Sequence, residues 1–179
     1  MKTRKWLLFL SVVTALILGG CDKEKQTMGR MTVKMTDAPG DFLAVNVDIK
    51  EFQVHYANSS SAESWVSLPV NAGVYDLLTL QNDITATLVS DADLQVGKIT
   101  QIRLVLGDQN TVVTADGSFY LDVPSGIQTG IKVNVNAEIQ ANNTVEIVLD
   151  FDADASIVLE GNGSFSLKPV IKVESVTQL

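Results

Sequence analysis

Val45-Asn46-Val47-Asp48-Ile49-Lys50-Glu51-Phe52-Gln53-Val54-His55-Tyr56 alternates apolar and polar side chains and changes phase once. Val45, Val47 and Ile49 share one face. After Glu51 the apolar face passes to Phe52, Val54 and Tyr56. Period two is the signature of a strand with one buried face. A single slip inside it is what a β-bulge produces, because one extra residue turns the following side chains over. The stretch therefore predicts one long, bulged strand rather than a helix.

The same reading extends in both directions. Met31–Met35 alternates, and Thr36-Asp37-Ala38-Pro39-Gly40-Asp41 forms a loop in which Asp37 and Asp41 are expected to bond nearby backbone N–H groups. Asn58–Ser64 reads as a flexible loop and Trp65–Val70 as a short strand. Gly73–Leu80 fits either a strand or a helical turn, and Asp83–Gly97 has room for one short helix. Lys98–Leu106 is a strand with Ile102, Leu104 and Leu106 on one face. Asp116-Gly117 and Asn142-Asn143 are two-residue hairpin signals, and Asn162-Gly163 is expected to turn the chain into Phe165, Leu167, Pro169, Ile171 and Val173. Ile131–Ile139 and Val145–Phe151 alternate, and Pro169 marks an edge or a bulge because it lacks an N–H. About eight or nine strands result. Each has one apolar face to cover, which predicts a single antiparallel two-sheet β-sandwich over residues 31–176, in general shape transthyretin-like, immunoglobulin-like or carbohydrate-binding-like.

The amino terminus gives the expected location. Lys2, Arg4 and Lys5 precede an apolar run from Trp6 to Leu18, and Leu18-Gly19-Gly20-Cys21 follows. This is the pattern of a secretory signal peptide over residues 1–20, ending in a lipobox with Cys21 as the lipid-attachment residue. The run is too short to span a bilayer core, which takes about 20 residues. Cys21 is the only cysteine, so no internal disulfide is available to it. Residues 21–30 read as an acylated tether holding the domain to a membrane of the bacterial cell envelope, facing the periplasm or the exterior.

Removing Lys2, Arg4 and Lys5 leaves 10 basic residues against 21 acidic, a net charge of −11. Nucleic acid is not an expected partner of such a body, because phosphate binding needs clustered Lys and Arg.

Four separated segments carry a family resemblance: Met35–Phe42 leading into Val45–Ile49, Gly73–Leu78, Gln101–Gly107 and Leu167–Ile171. Together they resemble a family of bacterial and archaeal lipoprotein domains filed as a domain of unknown function. Members look like β-sandwiches related to starch-binding and carboxypeptidase-regulatory modules. The resemblance implies a carbohydrate-binding role by analogy of fold alone.

Candidate chemistry is sparse. His55 is the only histidine, so a zinc site built on His and Cys is not expected. Asp150, Asp152 and Asp154 stand at alternate positions and are candidate Ca2+ ligands. The alternative is that they continue a polar strand face. No other cofactor is expected. Arg103 is expected to pair with an acid such as Asp76 or Asp150. Glycan recognition combines an aromatic face with amide and charged side chains, which nominates Trp65, Tyr75, Lys132, Asn134 and Asn136. The resulting expectation is a lipid-anchored, non-catalytic binding module for a glycan. A structural or adhesive protein contacting other envelope proteins is the alternative, ahead of a calcium-stabilised domain or a glycoside hydrolase.

Overall fold

The computed structural model describes residues 28–38, 40–57, 65–123 and 129–179. The signal segment, Cys21, Pro39 and the Asn58–Ser64 loop lie outside the described residues. Among the described residues, thirteen strands form two sheets. Strands β1 (Met28–Thr36), β5 (Ala86–Gln95), β10 (Thr144–Asp152) and β13 (Val170–Gln178) make a four-stranded sheet in the order β13-β10-β1-β5. The other sheet has nine strands. Its path runs β11 (Ile157–Leu159), β12 (Phe165–Leu167), β8 (Gly117–Asp122), β7 (Thr111–Thr114), β2 (Ala44–Tyr56), β6 (Gly97–Leu106) and β9 (Ile131–Ile139). Strands β3 (Trp65–Leu68) and β4 (Gly73–Asp76) complete it by pairing with β2. The two-sheet β-sandwich expected from alternation is the architecture found.

The opening stretch is the centre of the larger sheet. Val45, Val47, Ile49, Phe52 and Val54 are all fully buried. The register against β6 slips between Ile49 and Glu51, where the phase change falls. Residues 52–55 pair with β3 on one edge and β6 on the other. Asn46 likewise pairs with both Asp76 and Thr111. One strand thus carries four neighbours, and the bulge lets β6 hand over to β7.

Loop Gly107–Asn110 closes around that bulge. Asn110 Oδ1 accepts the Asp48 N–H at 2.9 Å, and Asp48 Oδ2 accepts the Gln109 N–H at 3.3 Å. Asp48 and Asn110 are buried, so each bond replaces a water lost on folding. A β-carbon at Gly107 would stand 1.9 Å from Asp48 Oδ2, so only glycine fits beside the carboxylate.

Several expectations change. Neither sheet is purely antiparallel: β1 runs parallel to β10, and β12 parallel to β8. Asn142-Asn143 is not a hairpin turn, since β9 pairs with β6 while β10 pairs with β1 and β13. The turn carries the chain from one sheet to the other, with Asn142 at φ 63°. Alternation reports which face of a strand is buried and not which sheet the strand joins. Asp83–Gly97 holds strand β5, not a helix. Adjacent Leu88 and Val89 are both buried, and a register slip there breaks the alternation that would have revealed the strand. Gly73–Leu80 is both things in turn: β4, then a 3-10 turn at Leu77–Leu80 capped by Asp76. Pro169 falls between β12 and β13, where the chain changes sheet. The sheet begins at Met28, three residues inside the segment expected as tether. Asp116-Gly117 and Asn162-Gly163 do close hairpins, β7–β8 and β11–β12.

Asp37 locks the end where β1 and β10 leave the smaller sheet. It is buried; its Oδ1 accepts the Ala153 N–H at 2.8 Å and its Oδ2 accepts Gln81 Nε2 at 3.3 Å. Burial pushes its carboxyl above the ordinary 3.8, with Asp150 and Asp152 adding to the rise, although the two hydrogen bonds oppose it. A folded value above the unfolded one means the folded state holds the proton to higher pH. The Asp37 contribution to stability is therefore fully present below the ordinary value and is lost as pH rises through the raised one. Asp37→Asn keeps an acceptor for Ala153 and should stay within about 1 kcal/mol of wild type at pH 7, whereas Asp37→Ala should cost about 1–3 kcal/mol. Denaturant melts should show wild type gaining on Asp37→Asn as the pH falls towards 4. Equal stability of the Ala and Asn variants would contradict the assignment.

Candidate functional site

The outward face of the larger sheet, across β3, β2, β6 and β9, gathers most of the nominated residues. The register sets two rows. One runs Trp65, His55, Gln101, Asn134, and the next runs Ser67, Gln53, Arg103, Lys132. These residues point outward because their strand neighbours Val54, Ile102 and Val133 point into the core. Asn136 shares the face further along β9.

Trp65 is the hub. The Arg103 guanidinium lies 3.9 Å from the centre of its ring, and Lys132 Nζ lies 5.9 Å away. His55 meets it edge-on with ring centres 5.1 Å apart. A cation over an indole face is attracted by the ring quadrupole, by about 0.5–1 kcal/mol where water has access. Arg103 is held from other sides too. Its Nη1 donates to Gln53 Oε1 at 3.1 Å. Its stem lies against Gly130, where an added β-carbon would stand 2.5 Å from Arg103 Cγ and where φ is +69°. Among the described residues, Arg103 Nε is buried without a hydrogen-bond partner. Around this hub, Gln101 Nε2 donates to Asn134 Oδ1 at 3.0 Å, and His55 Nδ1 shares a bond with Thr100 Oγ1 at 3.1 Å.

Neither Asp76 nor Asp150 is the partner of Arg103. Asp76 instead accepts the N–H groups of Val45 and Leu78, and Asp150 pairs with Lys172 at 2.8 Å. The Asp150 carboxylate raises the Lys172 ammonium above its ordinary value. The nominated residues also divide. Trp65, Lys132, Asn134 and Asn136 share the outward face, while Tyr75 does not join them. Tyr75 pairs with Val47, packs on the core, and its hydroxyl donates to the Asn71 carbonyl. Burial pushes its hydroxyl pKa up. Sequence reading missed His55, Gln53, Gln101 and Arg103 as members of the face. The signal was present in their position opposite buried neighbours, but it needed the strand pairing to be known.

The three carboxylates nominated for calcium do not converge. Asp150 faces Lys172, Asp152 caps the helical turn α1 (Ala153–Ser156) by accepting the Ala155 N–H, and Asp154 lies within that turn. The chain stops being a strand at Asp152, so the alternate spacing no longer places the third acid beside the first two. Among the described residues no three His, Cys, Asp or Glu side chains are grouped to hold a metal ion.

Without residues 1–20, Trp65 is the only tryptophan. Its fluorescence therefore reports this face alone. Arg103→Ala should shift the emission to the red, as water replaces the guanidinium, and should cost no more than about 1 kcal/mol of stability. An unchanged emission maximum would show that the stack does not persist in solution.

No curated protein matches the chain, and no solved structure does. A profile of the family described as Domain of unknown function (DUF4382) matches residues 28–169, which runs from the first residue of β1 to Pro169 before β13. The chain belongs to that family.

Proposed function

We propose that this protein is a lipid-anchored envelope module that binds a glycan on the outward face of its larger sheet. The observation that carries the reading is the Trp65–Arg103 stack set among Gln53, His55, Gln101, Lys132 and Asn134. Sugar rings present apolar C–H faces and a rim of hydroxyls. An indole suits the first, and planar amides and cations suit the second. A sheet face fixes these groups on rigid backbone, so little side-chain order has to be gained on binding. The lipobox at Leu18–Cys21 supports anchoring, and β1 starts only seven residues after Cys21. At about 3.3–3.6 Å per extended residue, that tether reaches roughly 25 Å.

Two measurements test the reading. On a glycan array, wild type should bind at least one class of glycan, and Trp65→Ala should lose that binding while melting as wild type does. A blank array would count against it. For the anchor, Cys21→Ser should move the protein from the membrane fraction to the soluble one. Retention on membranes would contradict acylation at that thiol.

A further inference from the structure

The described residues include eight Lys and Arg side chains. Five pair with a carboxylate: Arg30 with Asp91, Lys34 with Glu146, Lys50 with Asp108, Lys168 with Glu160 and Lys172 with Asp150. The other three are Lys98, Arg103 and Lys132. Among the described residues none of these has a carboxylate within 4.0 Å. All three stand on the outward face of β6 and β9, beside Ile99, Ile102 and Val133, which face the core. In a chain with 21 acidic residues, cations easily find partners. Three without a carboxylate among the described residues on one face, beside the half-buried Trp65, form a local positive field on an acidic body.

The acids nearby do not cancel it. Glu51 lies in the next row and accepts from Gln53 Nε2 at 3.4 Å. Glu138 is opposite Lys98 in the register but makes no ion pair with it. Among the described residues, the centre, Arg103 and Lys132, has no carboxylate partner. Arg103 is also pre-set for an anion. Gly130, Gln53 and Trp65 fix its plane; among the described residues Nη1 is bonded to Gln53, Nε is buried without an acceptor, and Nη2 has no partner. A planar guanidinium edge matches a carboxylate, and such charge-assisted bonds are about twice as strong as neutral ones.

We infer that the glycan bound on this face is acidic, with a uronate carboxylate held by Arg103 and Lys132 beside Trp65. This rests on the glycan-binding reading above and adds the charge of the ligand. Trp65 packs on the ring, Gln101 and Asn134 meet its hydroxyls, and the two cations select the charged sugar over its neutral counterpart. Binding weakens as salt is added, because the cations are partly exposed.

Calorimetric titration of the full chain in neutral detergent tests this with tetrasaccharides of galacturonate and mannuronate, each compared with its own methyl ester. At least one acid should bind about tenfold tighter than its ester, and that preference should vanish in Lys132→Gln and Arg103→Gln. Lys132 is exposed, so its variant tests the charge without disturbing the packing around Arg103. Equal binding of acid and ester, or array binding of neutral glycans alone, would overturn the inference and leave the glycan reading standing. Binding to phosphatidylglycerol vesicles that depends on Lys132, with no binding of either acid, would also overturn it. A blank array with no titration signal would remove both.

Discussion

The bond from the Ala153 N–H to Asp37 Oδ1 is the contact on which this sandwich most depends. It joins the end of β1 to the turn after β10, the two parallel strands at the centre of the smaller sheet. Parallel neighbours cannot be joined by a tight turn, so each must leave for the other sheet. Every such departure strips backbone groups from the ladder, and buried groups must find partners elsewhere. Asp37 does this for Ala153, Asp76 for Val45 and Leu78, and Ser156 for Val170, whose N–H donates to Ser156 Oγ at 2.8 Å. Asn110 and Gly107 do the same for Asp48 at the bulge.

Most of these positions fall within the four segments whose sequence resembles the family. Asp37 and Asp48 lie in the first, Asp76 in the second and Gly107 in the third, and Val170 lies in the fourth. Those segments thus largely hold the fittings that let the chain change sheet. They identify the fold without naming a ligand. Trp65, Lys132 and Asn134 lie outside all four segments. Arg103 is the exception, being inside Gln101–Gly107 and stacked on Trp65 at the same time.

Much of the fold was legible because alternation is a direct record of burial. Val45–Tyr56 announced both the strand and its bulge, and Asp116-Gly117 announced its hairpin. What alternation does not encode is partnership. Asn142-Asn143 looks like any two-residue turn, yet it crosses between layers, and the parallel pair β1–β10 follows from that crossing. β5 was hidden because Leu88 and Val89 are buried side by side. The candidate face was legible in its residue types on β9 and at Trp65. The partner of Arg103 is an aromatic ring, whereas sequence offers acids as its obvious counterparts. Tyr75 was nominated for its chemistry, but its strand turns it towards the core.

The central claim is that recognition occurs on the outward face of β3, β2, β6 and β9, and that the family segments serve the fold. Nitrogen-edited NMR of the Cys21→Ser chain, titrated with the tightest oligosaccharide found, addresses both halves at once. The account predicts shifts at the Trp65 indole N–H, Arg103 Nε and the amides of Gln101, Lys132 and Asn134, with the amides of Asp37, Asp48, Asp76 and Gly107 unmoved. Shifts centred on Asp37 and Asp76, with the Trp65 indole unmoved, would contradict it.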